Sequence, residues 1–142
     1  MSGAAFKRLG ILACVSLLAA GLWRAAAPDP LRTRLEAVHQ QTRRTVTYRP
    51  GVQWSFGRAG DCTTFALHNY LGARMLGLRP EIWSVLDEKG EGHAVLVVGP
   101  EVLDNRFAHV QTRRGLVALG YRFRAKVDFA GPPPDPASLA SR

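Results

Sequence analysis

At 142 residues, 46% hydrophobic and 21% charged, the chain has the size and composition of one globular domain, and wholesale disorder is excluded. Its formal charge of +8 falls to +5 once Lys7, Arg8 and Arg24 of the N-terminal segment are set aside. That is a modest basic surface. With no cluster of Lys or Arg interleaved with aromatic residues, a nucleic-acid partner is not expected.

Lys7-Arg8 precede an apolar run of fifteen residues, Leu9 to Trp23. A membrane span needs about 20 residues, so the run suits a signal-peptide core better. Ala25-Ala26-Ala27 offers small residues for cleavage, but Pro28 would follow the cut and Arg24 precedes it. Residues 1–27 are therefore expected to be a signal peptide or a short N-terminal membrane anchor. The positive charges direct the following domain across the membrane, making it periplasmic, secreted or anchored at the outer face of the inner membrane. Cys14 belongs to the apolar run. Cys62 is then the one cysteine of the exported part, and a lone thiol in an oxidising compartment is either buried or used.

Asp29-Pro30 opens a helical stretch over 31–45, with Leu31, Leu35 and Val38 at spacings of three and four. Val46-Thr47-Tyr48 alternates briefly before Pro50-Gly51, and Gly57 and Gly60 mark a loop. A second helix is predicted over 61–76, ended by Gly77 in a left-handed cap and barred from continuing by Pro80. Strands follow. Residues 82–86 are rich in β-formers, 89–92 form a turn, and 93–98 (HAVLVV) are apolar on both faces, as in a buried central strand. Gly99-Pro100 turns the chain into 102–105, and 120–129 alternate as a last strand. The proline-rich tail 131–142 is expected to be disordered. The domain, residues 28–130, is predicted to be α+β, with N-terminal helices packed on an antiparallel β-sheet.

Three positions converge on one chemistry. Cys62 lies in the first helical turn after the capping residue Asp61, where free N–H groups and the positive dipole end favour the thiolate nucleophile. Asp61 opposes this as a nearby negative charge, so a base is required. His93 begins the central strand. With a four-residue connection, 97–100, Leu96 faces Glu101, Val95 faces Val102, Ala94 faces Leu103 and His93 faces Asp104. In that register Asp104 accepts Nδ1–H of the imidazole and leaves Nε2 to take the thiol proton. Cys62, His93 and Asp104 are thus the candidate nucleophile, base and orienting residue. The backbone N–H of Cys62 is one candidate oxyanion donor. Trp54, Gln53 and Asn105 are candidates for a second donor or for the cleft wall, as is Arg58; core packing is the competing reading for Trp54. His39, His68 and His109 lack metal-ligand spacing and are read as surface or packing residues.

The blocks Gly60-Asp61-Cys62-Thr63-Thr64-Phe65-Ala66, Gly92-His93-Ala94-Val95-Leu96-Val97 and Val102-Leu103-Asp104-Asn105 resemble the signature blocks of the bacterial transglutaminase-like cysteine proteinases. The upstream stretch from Leu35 to Tyr48 is similar to that family's helix-plus-strand lead-in, so the resemblance covers most of residues 31–129. It implies a papain-like, transglutaminase-like core, an exported location and a Cys62–His93–Asp104 triad. The chain departs from the family in carrying Thr63 and Thr64 where Glu-Asp commonly follows the cysteine. Members that bind calcium use acidic residues beside the cysteine, and with Thr63 in the glutamate position no metal or other cofactor is expected here. The short His93-to-Asp104 connection leaves no room for a long substrate-binding extension.

The expected activity is acyl transfer from an amide to Cys62 followed by hydrolysis, on a protein or peptide of the cell envelope. Transglutaminase-type transfer to an amine uses the same intermediate. A cell-wall peptidase of the NlpC type also places Asp-Cys at a helix start but has no counterpart of the Leu-Asp-Asn block. A non-catalytic binding module of papain-like shape is the alternative from another class.

Overall fold

The computed structural model describes residues 29–128; the expected export segment and the proline-rich tail lie outside them. Helix α1 (Pro30–Thr45) starts at Asp29, whose Oδ1 accepts the Leu31 N–H at 2.9 Å, and Pro30 fills the first position, where no N–H is needed. Strand β1 (Thr47–Tyr48) then pairs in parallel with β2 (Ala59–Gly60), folding the intervening loop back ahead of helix α2 (Cys62–Met75). Gly77, at φ +73°, ends α2. Its N–H bonds the Arg74 carbonyl and the Leu78 N–H bonds that of Ala73, a Schellman closure that satisfies the last turn. The two helices pack closely at Gly72, where a Cβ would lie 2.8 Å from Val38 Cγ1.

Strands β3 (Glu81–Leu86), β4 (Gly92–Val98), β5 (Glu101–Leu103), β6 (Gln111–Thr112) and β7 (Arg122–Lys126) form an antiparallel sheet in the order β6-β5-β4-β3-β7. The fold is α+β. Central β4 is apolar on both faces because both are covered. Ala94, Leu96 and Val98 join Leu35, Ala66 and Ala73 in the core on the helix side. Val95 and Val97 join Val85, Val102, Tyr121 and Leu116 on the other. Leu116 comes from a short helix, α3 (Arg113–Ala118), in a stretch to which the sequence pattern assigned no element. The last strand is shorter than expected, since Gly120 takes φ +102° in the turn before it and pairing ends at Lys126. Among the described residues no helix is long and apolar enough to cross a membrane.

The β4–β5 hairpin corrects the expected register. Its connection is the two residues Gly99-Pro100, with Gly99 at φ +58°, and it pairs Val98 with Glu101, Val97 with Val102 and Leu96 with Leu103. A tighter turn lets Val98 and Glu101 join the ladder. The shift relative to the expected pairing is two residues, and side chains alternate with period two. Asp104 therefore keeps the face of His93 but lies diagonal to it rather than opposite.

Candidate active site

Cys62 is the first residue of α2, so its N–H has no intrahelical partner. Its thiol is half-buried and free. Asp61 caps the helix through Oδ1, which accepts the Thr63 N–H at 3.0 Å and the Thr63 hydroxyl at 2.7 Å. Burial pushes the Cys62 thiol up, as does the Asp61 charge. A hydrogen bond to His93, another from the Ala94 backbone and the His93 charge outweigh them, so the thiol lies below its ordinary pKa.

His93 is almost wholly buried and its Nε2 lies 2.8 Å from Asp104 Oδ1. This corrects the expected assignment of the ring nitrogens. Nε2 donates to the carboxylate, which leaves Nδ1 as the ring nitrogen free to serve the thiol. Burial alone lowers the His93 pKa, but its bonds to Asp104 and Cys62 and their charges raise it to about 9. The arrangement favours a thiolate–imidazolium pair, a nucleophile with a proton donor beside it.

Asp104 is fully buried and accepts three hydrogen bonds, from His93, from the Arg106 N–H at 2.9 Å and from the Tyr121 hydroxyl at 3.1 Å. Sequence reasoning missed Tyr121 as a site residue and read it only as part of an alternating strand. Its ring stacks edge-on to His93, with centroids 6.5 Å apart. Burial and the Asp104 charge push the Tyr121 phenol up to about 12. Tyr121→Phe keeps the ring and removes one donor to a buried carboxylate, so about 1.5–3 kcal/mol of stability should be lost in urea unfolding with an unchanged slope.

The loop carrying Asp104 is tied to one face of α1. Arg32 bonds Glu101 and the Val110 carbonyl, Glu36 accepts the Val110 N–H at 2.9 Å, and Gln40 bonds the Ala108 carbonyl. Arg43 reaches the carbonyls of Asn105 and Phe107 at 2.9 and 3.1 Å. His39, fully buried, donates Nε2–H to the Phe107 carbonyl at 2.9 Å. His39 is thus a packing residue that also satisfies this loop. The spacing of 32, 36, 39, 40 and 43 marks one helix face, but these residues are mostly polar and so resemble a solvated one.

Cys62 and His93 open onto two adjoining cavities of about 470 and 390 Å³, which share Tyr48 and Gly92. Gln53 and Trp54 line the larger, Asn105 and Arg106 the smaller. Three of the four candidate cleft residues, Gln53, Trp54 and Asn105, therefore line cavities that Cys62 also lines. The backbone N–H of Trp54 is already bonded to Thr63 Oγ1 and that of Ser55 to Thr64 Oγ1, so neither faces the cleft as a donor. Arg58 does not line either cavity.

The chain is similar in structure to Legionella pneumophila LapG in a calcium-bound form, at 18% identity and a TM-score of 0.51, over 62% of this chain and 61% of that one. The likeness is one of fold, and the chain spans less than two thirds of LapG's length. No protein-family model matches the chain, and no curated protein does. The residues around Cys62 do not suit a calcium cage, which takes 6–8 oxygen ligands. Asp61 Oδ1 already accepts two hydrogen bonds from Thr63, and Thr63 presents a hydroxyl where a carboxylate would be needed. Among the described residues no group of three or more His, Cys, Asp or Glu is placed to hold a metal ion.

Proposed function

We propose that the protein is an exported cysteine hydrolase with a papain-like, transglutaminase-like core, acting on amide bonds of proteins or peptides in the cell envelope. One observation carries this reading: Cys62 at a helix start and His93 line the same open cleft, and His93 Nε2 lies 2.8 Å from the buried Asp104 carboxylate. In the proposed reaction the Cys62 thiolate attacks the amide carbonyl carbon. The Cys62 N–H and the Gln53 side-chain amide receive the developing oxyanion. His93 gives its Nδ1 proton to the leaving amine as the C–N bond breaks, leaving a thioester on Cys62. His93 then takes a proton from water, whose oxygen attacks the thioester, and the carboxylic acid leaves as the thiolate is restored. The LapG likeness supports the core, and the Lys7-Arg8 pair with its apolar run supports export to the periplasm or the outer face of the inner membrane. That segment would also provide any membrane association.

The test is acylation by p-nitrophenyl acetate. A burst of nitrophenolate and an acetyl adduct on Cys62, both absent from Cys62→Ser, are expected. Turnover to acetate in water identifies a hydrolase, whereas acetamide formation on added primary amine, at the expense of acetate, identifies a transferase of the transglutaminase type. A protein with neither burst nor adduct is a binding module instead.

A further inference from the structure

Two hydroxyls join the helix that bears the nucleophile to the loop in front of it. Thr63 Oγ1 accepts the Trp54 N–H at 2.8 Å and donates to Asp61 Oδ1 at 2.7 Å. Thr64 Oγ1, fully buried, accepts the Ser55 N–H at 3.0 Å and donates to the Val52 carbonyl at 3.0 Å. The Val52 carbonyl also accepts the Asp61 N–H at 2.9 Å. Each threonine thus serves at once as donor and acceptor, which a hydroxyl can do and a carboxylate or a methyl cannot. Gly60 makes room for this seam, since a Cβ there would lie 2.1 Å from Thr64 Oγ1.

The seam holds a backbone that would not hold itself. Trp54 has φ +51°, the left-handed region that a bulky residue adopts only under constraint. The two threonine bonds engage its N–H and the next one along, fixing the peptide on either side of it. Gln53 and Trp54 line the cleft, so the geometry of this loop sets where a bound carbonyl meets the oxyanion donors.

We propose that Thr63 and Thr64 are positioning residues that hold residues 52–55 in place over the cleft, and that this order is supplied by protein hydroxyls independently of calcium. The consequence for acyl transfer rests on the hydrolase reading; the order of the loop does not. A carboxylate at position 63 would repel Asp61 and need a cation between them, whereas the Thr63 hydroxyl donates directly to Asp61 and leaves that role without a vacancy to fill.

The test compares wild type with Thr63→Val and Thr63→Ser, with Thr63→Ala in reserve if the valine variant does not fold. Amide hydrogen exchange is followed at Trp54 and Ser55 in calcium chloride and in EDTA. The Trp54 N–H should exchange about tenfold faster in Thr63→Val, stay near wild type in Thr63→Ser, and be insensitive to calcium in all. Acylation of Cys62 by p-nitrophenyl acetate should fall on the order of tenfold in Thr63→Val. Alkylation by iodoacetamide, which passes through no oxyanion, should not change. Unchanged Trp54 protection in Thr63→Val, or wild-type protection that rises with calcium, would overturn the proposal, as would acylation and alkylation falling together. A wild-type Cys62 that neither acylates nor alkylates faster than a free thiol defeats the hydrolase reading instead, and the exchange rates still decide the loop.

Discussion

Asp104→Ala is expected to cost the fold about 3–5 kcal/mol, the usual loss when one member of a buried charged pair is removed. The carboxylate is fully buried and is the acceptor for His93, the Arg106 N–H and Tyr121. Alanine leaves all three donors without their acceptor. Acyl transfer should fall by about 10³-fold or more in the protein that remains folded, since His93 loses both its orientation and the charge that stabilises its protonated form. Urea unfolding measures the first loss and the p-nitrophenyl acetate burst the second. Asp104→Asn separates the causes, because it keeps an acceptor oxygen without the charge. It should recover more of the stability than of the pH behaviour.

The same contact makes stability depend on pH, and its sign is fixed by the direction of the His93 shift. The folded pKa, about 9, lies above the ordinary 6.5. The stabilisation is therefore fully present below 6.5, shrinks as pH rises between the two values, and is gone above about 9. Unfolding free energy measured across that range should decline in wild type through this contribution. In Asp104→Ala the decline should largely vanish.

His93→Ala should slow iodoacetamide alkylation of Cys62 about 10²-fold at pH 7, the scale of effect expected for a positioned base. In its absence the influences that raise the thiol pKa, burial and the Asp61 charge, are opposed only by the Ala94 backbone hydrogen bond. The alkylation profile should then move to higher pH. Wild-type hydrolysis of an amide should be bell-shaped. Its acid limb follows formation of the thiolate, and its alkaline limb falls near 9 as His93 loses the proton that the leaving amine needs. The two limbs belong to the thiol–imidazole pair rather than to either residue alone. An alkylation profile identical in wild type and His93→Ala would show that the imidazole does not act on the thiol.

Much of the framework was legible because it is encoded between near neighbours. Asp61 before Cys62, Gly77 after α2 and the apolar run through β4 act over a turn of helix or a few residues of strand, where capping and alternation are read directly. These local signals mark Cys62 and His93 as candidates, whereas Asp104 follows from an expected hairpin register that the structure shifts by two residues. Where locality ended, so did foresight. The stretch 106–119 has neither strong alternation nor helical periodicity long enough to reveal β6 and α3, and the polar face of α1 resembled a solvated one.

What the sequence by itself determined, then, is the order of the two long helices and of strands β3, β4, β5 and β7, and the position of a cysteine at a helix start ahead of a histidine on a central strand. The tertiary structure decided the two-residue hairpin, the meeting of His93 Nε2 with Asp104, the entry of Tyr121 from 17 residues away, and the fastening of the Asp104 loop to α1 across as many as 78. Such contacts depend on which faces are left to bury after the local elements form, and on the satisfaction of polar groups trapped there. Only the packed chain sets those conditions.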